Sequence, residues 1–220
     1  MKVIAVLNEK GGCGKTTIAT NLARSLQLEG FNTIIVDSDV QGSARDWAAA
    51  SDTDVPAAIG MDRPTLHKDI SKVAESADFV VIDGAARAEK MQISAIKAAD
   101  LVLIPVQPSA YDIWSSETVV DLVQARQAVA GKPLAAFVIS RQIVGTNIAG
   151  EAQDALESFG LPVLEGRTAQ RVAYAEAAGT GRSVIDESPN SKAASEMKQI
   201  TADVLTLLNT KPVSTNGTPQ

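Results

Sequence analysis

The feature that most constrains this chain is an apolar run at its start, followed by a glycine-rich turn and then a helical repeat. Residues 3–7 read Val-Ile-Ala-Val-Leu, and residues 8–17 read Asn-Glu-Lys-Gly-Gly-Cys-Gly-Lys-Thr-Thr. Ile18, Leu22 and Leu26 then recur at helical spacing. Glycines let a backbone curl so that several N–H groups point inward, and a helix N-terminus adds the positive end of its dipole. The pattern therefore predicts a cradle for phosphate groups.

The polar residues of this turn are those that a triphosphate and its metal require. Lys15 is expected to reach the β- and γ-phosphates, the Thr16 hydroxyl to contact Mg²⁺, and Thr17 to lie near the α-phosphate. Glu9 stands where the usual P-loop pattern has its first glycine. Cys13, the single cysteine, fills the variable position, where we expect a small packing residue rather than a reactive thiol. The predicted nucleotide-binding set of the turn is Lys10, Gly11, Gly12, Cys13, Gly14, Lys15, Thr16 and Thr17.

Short runs rich in Val and Ile alternate along the chain with longer segments of helical spacing. The runs are almost continuously apolar, which is typical of strands covered on both faces of a parallel sheet. The order predicts a doubly wound α/β domain with a mostly parallel sheet over residues 1–209. Residues 210–220, rich in Pro, Ser and Thr, predict a disordered tail. The predicted strands are Val3–Leu7, Thr33–Val36, Phe79–Ile82, Leu101–Pro105, Leu134–Ser140 and a short one at Pro162–Leu164. The predicted helices are Thr16–Gln27, Ala88–Ala98 and Ser115–Val129, the last opened by a loose capping box at Ser115 or Ser116.

Aspartates follow two of these predicted strands. Asp37 and Asp39 come after the second strand, and Asp83 comes after the third. The carboxyl ends of parallel strands form the crevice in which α/β sheets bind ligands. Nearby carboxylates commonly hold Mg²⁺ through its waters. Either aspartate motif alone is more simply a solvated turn, but together with the phosphate cradle they predict a metal–nucleotide site.

These three segments resemble the deviant Walker A, Walker A′ and Walker B motifs of the ParA/MinD ATPases, which belong to the P-loop NTPases. The resemblance extends from Met1 to about Leu208 and is closest to the small plasmid-partition ParA proteins. It implies that a signature lysine crosses a dimer interface to the partner's nucleotide. It also implies a water-positioning aspartate and a magnesium shell. The implied catalytic residues are Lys10, Lys15 and Asp39, and the implied metal residues are Thr16, Asp37 and Asp83.

Further roles come from the resemblance alone. It implies base contacts from Ser140 and Arg141 and a dimer face within residues 105–114. Val40 and Ala86 stand where the family commonly has proline, which leaves the geometry of both loops open. Relatives bind DNA without sequence preference through basic side chains, although a net charge of −6 gives that idea no support of its own. The candidate DNA contacts are Arg167, Arg171, Arg182, Lys192 and Lys198.

The resemblance implies a Mg²⁺-dependent ATPase that forms an ATP-dependent homodimer and binds DNA non-specifically in the ATP state. We expect hydrolysis below about 1 per second, raised by a centromere-binding partner protein, in the segregation of plasmid DNA. No apolar run is long enough for a membrane span, so we expect a cytoplasmic protein, nucleoid-associated when ATP-bound, with no membrane partner. Three alternatives stay open: a positioning ATPase for a non-DNA cargo, a metabolic P-loop enzyme, and a MinD-like membrane-surface switch. The membrane switch would need the apolar stripe of Glu196–Asn209 to lie on a bilayer.

Overall fold

A computed structural model describes residues 1–145 and 148–211. These residues form one six-stranded sheet, in which every pairing of neighbouring strands is parallel. The strands are β1 (Lys2–Val6), β2 (Thr33–Asp37), β3 (Ala58–Gly60), β4 (Phe79–Asp83), β5 (Leu101–Val106) and β6 (Leu134–Ile139). The helices are α1 (Lys15–Leu28), α2 (Ser43–Ala50), α3 (Leu66–Val73), α4 (Glu89–Ala98), α5 (Ala110–Ser115), α6 (Glu117–Ala130), α7 (Ile148–Glu157), α8 (Val172–Gly179), α9 (Val184–Glu187) and α10 (Lys192–Leu207).

The strand order β3-β2-β4-β1-β5-β6 confirms the predicted doubly wound α/β fold. β1 lies between β4 and β5, so the loop that follows β1 emerges at the middle of the sheet. Asp37, the last residue of β2, is in register with Asp83, the last residue of β4. Both aspartate segments and the glycine-rich turn therefore meet at the same edge, outside the carboxyl ends of the strands.

The core consists of two apolar layers, one on each face of the sheet. Alternate residues of β1 enter opposite layers: Ile4 and Val6 join one, and Val3 and Ala5 join the other. Helices α1, α9 and α10 cover the first layer, while α3, α4, α6 and α7 cover the second. Strands buried on both faces have no solvent-facing side, which explains their continuous apolar sequences.

The C-terminal apolar stripe packs into this core. Met197, Ile200 and Val204 of α10 are fully buried against the layer that contains α1. The stripe is therefore part of the interior of the fold, as packing would predict. Among the helices that the structure describes, none is long and apolar enough to cross a bilayer.

Three details differ from the predictions. The predicted strand Pro162–Leu164 was wrong, because Val163 forms only an isolated bridge to Phe137. The capping box at Ser115 or Ser116 was also wrong: the Ser116 hydroxyl donates back to Ile113 O and caps nothing. A capping box does occur, unpredicted, where Ser183 opens α9. Residues 212–220 of the predicted tail lie outside the described residues.

Candidate functional site

The turn after β1 is curled by its glycines and anchored by Asn8. Gly12 and Gly14 have φ of 76° and 95°, a left-handed conformation that glycine adopts without strain. Gly14 is the N-cap residue of α1, which begins at Lys15. The buried Asn8 amide donates to Pro105 O at 2.7 Å, and its oxygen accepts from Lys10 N at 3.0 Å. The backbone N–H groups at the start of α1 therefore face the loop that the sequence predicted as a phosphate cradle.

Lys15 and Cys13 both stabilise this loop from inside. Lys15 is only 8% exposed, and its Nζ donates to Lys10 O at 2.8 Å. The Cys13 thiol donates to the same carbonyl at 3.3 Å. Burial raises the pKa of the Cys13 thiol, so the sulfur stays protonated and packs as a small side chain. The ammonium group of Lys15 lies within hydrogen-bond distance of the turn's own backbone, and an anionic ligand bound in the turn would attract it.

Thr16 and Asp83 form the centre that would hold a metal. The Thr16 hydroxyl donates to Asp83 Oδ2 at 2.8 Å. The other oxygen, Oδ1, is buried and has no hydrogen-bond donor among residues 1–145 and 148–211. Burial raises the pKa of Asp83 to about 7, although the hydrogen bond from Thr16 acts in the opposite direction. A buried carboxylate with an unpartnered oxygen is a group that a nearby cation would stabilise in its charged form.

Asp37 has a different environment from Asp83. Its Oδ1 accepts from Asp39 N at 3.0 Å, and its Oδ2 accepts from the amides of Ala44 and Arg45, each at 3.1 Å. Asp37 thus fixes the turn to the first residues of α2. Its place in the magnesium shell stays a prediction, because both of its carboxylate oxygens accept hydrogen bonds from backbone amides.

Ser38 and Gly84 connect the two aspartate segments, and neither was singled out from the sequence. The Ser38 hydroxyl donates to Asp83 O at 2.8 Å and accepts from Ala85 N at 3.1 Å. A Cβ on Gly84 would lie 2.6 Å from Val6 O, so only glycine allows the loop after β4 to approach β1 so closely. These contacts hold the loops after β2 and β4 close to each other and to the end of β1.

Asp39 lies at the wall of a cavity of about 640 Å³ that opens beside the turn. A volume of this size fits a small-molecule ligand. Its walls include Gly11, Gly12, Gly14, Lys15, Thr16 and Thr17 from the turn and the start of α1, and Asp39, Gly84 and Ala86 from the two aspartate loops.

The two predicted base contacts lie at or next to the far wall of the cavity. Ser140 is buried and its hydroxyl donates to Cys13 O at 2.7 Å, which stabilises the loop, so its contact with a base stays a prediction. Arg141 does line the cavity, and its guanidinium donates to Gly12 O at 3.0 Å. The rest of this wall was missed: it is formed by residues 168–172 together with Tyr174, Ala175 and Ala178 of α8.

The residues of the site fit a nucleoside triphosphate with Mg²⁺. The curled backbone and Lys15 supply donors and positive charge for phosphate oxygens. The Thr16 hydroxyl and the buried, incompletely bonded Asp83 carboxylate are oxygen ligands of the kind that Mg²⁺ takes, directly or through water. The cavity continues past Arg141 towards α8, which leaves room for a nucleoside beyond the phosphates.

Lys10 is bound within its own chain. Its Nζ contacts Asp112 Oδ2 at 2.6 Å, and the Asp112 carboxylate is 7% exposed whereas the Lys10 side chain is 38% exposed. Ser109 Oγ donates to the same carboxylate oxygen. Tyr111 and Trp114, on the same helix α5, are stacked edge to face and mostly exposed, at 76% and 64%. The helix that binds Lys10 through Asp112 therefore also carries an exposed pair of aromatic side chains.

Most of the candidate DNA contacts are occupied within the chain. Arg171 pairs with Glu196 at 2.6 Å, and Arg182 pairs with Asp52 at 2.8 Å. The Arg167 guanidinium donates to Gln153 at 3.1 Å, and Lys198 donates to Pro189 O at 2.9 Å. A side chain already neutralised by a carboxylate is a weak ligand for a phosphate backbone. The structure therefore adds no support for Arg171 and Arg182 as DNA contacts.

The raised pKa of Asp83 predicts an unusual dependence of stability on pH. Between about pH 4 and pH 7 the folded protein keeps a proton that the unfolded chain releases, so the free energy of unfolding falls as pH rises. At about 1.4 kcal/mol per pKa unit, the full effect is on the order of 4 kcal/mol. Asp83→Asn should remove this fall, measured by urea unfolding of the nucleotide-free protein at pH 4 and pH 8. The exposed-site control Asp46→Asn should keep the wild-type fall, and equal pH dependence in wild type and Asp83→Asn would contradict the prediction.

Comparison with known proteins places this geometry among nucleotide-binding domains. The family model for the CobQ/CobB/MinD/ParA nucleotide binding domain matches residues 4–185. The chain is 31% identical over 208 residues to maintenance of carboxysome distribution protein A of Halothiobacillus neapolitanus, covering 92% of this chain and 95% of that protein. It is 28% identical over 180 residues to protein ParA of Rhizobium radiobacter, covering 79% of this chain and 81% of that one.

Solved structures share the fold at lower identity. The Cyanothece McdA–ATP complex has a TM-score of 0.75 at 16% identity, covering 97% of this chain and 98% of that one. The cell division ATPase MinD of Pyrococcus furiosus has a TM-score of 0.77 at 20% identity, covering 94% of this chain and 99% of that one. These matches extend over nearly the whole length of each chain, with the same arrangement of sheet and helices.

Proposed function

The chain belongs to the CobQ/CobB/MinD/ParA nucleotide-binding family as an ATPase of the ParA/MinD type, and we propose that it is an ATP-driven dimerisation switch that positions a large cellular cargo. The observation that carries this proposal is the pair of lysines in one turn. Lys15 faces the loop that would bind the nucleotide of its own subunit, whereas Lys10 points away to Asp112. Because Lys10 does not face the nucleotide-binding loop of its own subunit, it could bind the nucleotide of a second subunit.

The residues of the site have separable tasks in this proposal. Lys15 and the amides of the turn bind the phosphates, while Thr16 and Asp83 hold the metal. Bound Mg²⁺ would neutralise charge on the β- and γ-phosphate oxygens. Asp39, at the wall of the cavity, orients the attacking water and accepts its proton. Since no other carboxylate lines the cavity within the described residues, Asp39 is the group we assign to this task.

Lys10 must leave Asp112 before it can reach a partner's nucleotide. In the free subunit the ion pair is short, and its carboxylate is nearly buried. In the dimer, Lys10 would exchange this carboxylate for the phosphates of the facing subunit. The exposed Tyr111 and Trp114 on α5 would then be covered by the second copy. Binding of ATP in both subunits supplies the anionic partner that makes this exchange favourable.

Lys10→Ala should spare ATP binding and weaken ATP-dependent dimerisation. The symmetric dimer loses one charge-assisted hydrogen bond at each of its two sites, and at about 1.5–3 kcal/mol each this corresponds to a dimer about 100-fold weaker or more. Light scattering with a non-hydrolysable ATP analogue measures the dimer, and equilibrium titration measures nucleotide affinity. The exposed Lys2→Ala is the matched control. Asp112→Asn should act in the opposite direction, because Lys10 no longer has to leave a carboxylate. An unaltered dimer in Lys10→Ala would overturn the role of Lys10.

Two cargoes fit the proposal. The similarity to a carboxysome distribution protein extends over 92% of this chain, which favours a protein compartment. The similarity to ParA extends over 79% and supports plasmid DNA, the cargo expected from the sequence motifs. Deletion of the gene distinguishes them: mispositioned compartments under the microscope support the first, and accelerated plasmid loss supports the second. Retention of the protein on DNA with ATP, but not with ADP, tests the non-specific DNA binding that either cargo could use.

A further inference from the structure

Arg45 of α2 holds the turn that carries Asp39. Its Nη2 donates to Asp39 O at 3.3 Å and to Val40 O at 3.5 Å. Its Nε lies 3.6 Å from Asp37 Oδ2, the same oxygen that accepts from the Arg45 amide at 3.1 Å. One side chain therefore connects the backbone at Asp39 to the buried carboxylate at the end of β2.

Two glycines provide the space for this guanidinium. A Cβ on Gly42 would lie 2.7 Å from Arg45 Nη2, and a Cβ on Gly60 would lie 3.0 Å from Nη1. Gly42 closes the turn, whereas Gly60 ends the edge strand β3. The guanidinium, on a side chain that is 42% exposed, thus lies between the turn and the sheet edge. A Cβ at Gly42 would displace it, and a Cβ at Gly60 would press against it.

Apart from the bond from Asp39 N to Asp37 Oδ1 at 3.0 Å, the turn has few other restraints, and none of them holds the carbonyl groups of Asp39 and Val40 to the rest of the domain. It contains no proline, and Val40 at its tip is 72% exposed. Within the turn, Gln41 N donates to Asp39 Oδ1 at 3.0 Å and Gly42 N donates to Asp39 O at 3.1 Å. Both bonds keep the turn curled, but neither fixes it to the rest of the domain. Arg45 makes the contacts that join the carbonyls of Asp39 and Val40 to α2.

We propose that Arg45 is a positioning residue for hydrolysis, which fixes the Asp39–Val40 backbone so that the Asp39 carboxylate stays at the cavity wall. Arg45 does not itself line the cavity, so it acts through Asp39 rather than on the nucleotide. A carboxylate that aligns a water must be held to within a fraction of an ångström, and misplacement by 1 Å can slow a reaction about 100-fold. The inference rests on the hydrolytic role of Asp39 in the proposed function.

Arg45→Ala should lower turnover at saturating Mg-ATP by about 10- to 100-fold, while ATP affinity stays at the wild-type value. Hydrogen exchange of the nucleotide-free protein gives a second readout: amides of residues 39–42 should exchange faster, and those of β1 and β4 should not. Arg63→Ala is the matched control, because Arg63 is an exposed arginine outside this turn. It should leave both the turnover and the exchange of residues 39–42 unchanged.

Two further variants separate position from charge. Arg45→Lys keeps the charge but lacks the planar fork, so its turnover should lie between those of Arg45→Ala and wild type. Gly60→Ala keeps Arg45 and its charge but places a methyl group against the guanidinium, and it should slow turnover and loosen residues 39–42.

Wild-type turnover or unchanged exchange in Arg45→Ala overturns the inference, as does a loss of ATP affinity equal to the loss of turnover. A wild-type protein that binds no ATP would instead overturn the proposed function, and faster exchange in Arg45→Ala would still support the restraint on the turn.

Discussion

Replacement of Lys15 by methionine is expected to weaken ATP binding by about 100-fold or more and to abolish ATP-dependent dimerisation. The ammonium group would make charge-assisted hydrogen bonds to two phosphates, each contributing about 1.5–3 kcal/mol. Together these bonds correspond to at least two powers of ten in affinity. Methionine keeps the length and packing of the side chain, which is only 8% exposed, so loss of binding would not reflect a cavity in the fold.

The measurement for Lys15→Met is equilibrium titration with ATP in the presence of Mg²⁺, followed by light scattering. Lys2→Met is the control, since Lys2 is an exposed lysine at the opposite end of β1. Without nucleotide, Lys15→Met should unfold at nearly the wild-type temperature, because it loses only the hydrogen bond between Lys15 Nζ and Lys10 O. Undiminished ATP affinity would show that Lys15 does not bind the phosphates.

The glycine-rich turn could be predicted from the sequence because its chemistry is local. Gly12 and Gly14 allow the curl, and Lys15 and Thr16 follow at the spacing that the helix N-terminus requires. The main strands were equally readable, since burial on both faces leaves continuous Val and Ile runs. β3 was not predicted, because its three residues at the sheet edge are too short and too exposed to give a pattern.

The opposite wall of the cavity could not be predicted, because it depends on contacts distant in sequence. Gln142 N donates to Thr168 O at 2.9 Å, and Arg141 N donates to Thr168 Oγ1 at 3.0 Å. These bonds bring residues 168–172 beside the nucleotide-binding turn, yet no motif marks them. The contact of Ser140 is of the same kind: the resemblance implied a base contact, and no local pattern indicated that its hydroxyl would donate to Cys13 O. The ion pair of Lys10 with Asp112 also joins residues that no local pattern connects.

Asp39→Asn is expected to reduce ATP hydrolysis by about 100-fold or more while ATP still binds, which leaves a long-lived dimer. The amide oxygen of asparagine can replace Asp39 Oδ1 as the acceptor for Gln41 N, so the turn should keep its shape. Asparagine lacks the negative charge and cannot take a proton from water. The variant therefore removes the chemical step without removing the contacts that hold the turn.

The test of Asp39→Asn compares phosphate release with the lifetime of the ATP dimer after dilution. Both should change by a similar factor, because hydrolysis ends the dimeric state in the proposed cycle. Asp46→Asn, an exposed neighbour on α2, should match wild type in both measurements. Lys15→Met should yield monomers with ATP, whereas Asp39→Asn should yield persistent dimers, so two losses of activity at one site lead to opposite assemblies. Hydrolysis at the wild-type rate in Asp39→Asn would exclude this carboxylate from the reaction, and the water would then have to be oriented by the loop after Asp83.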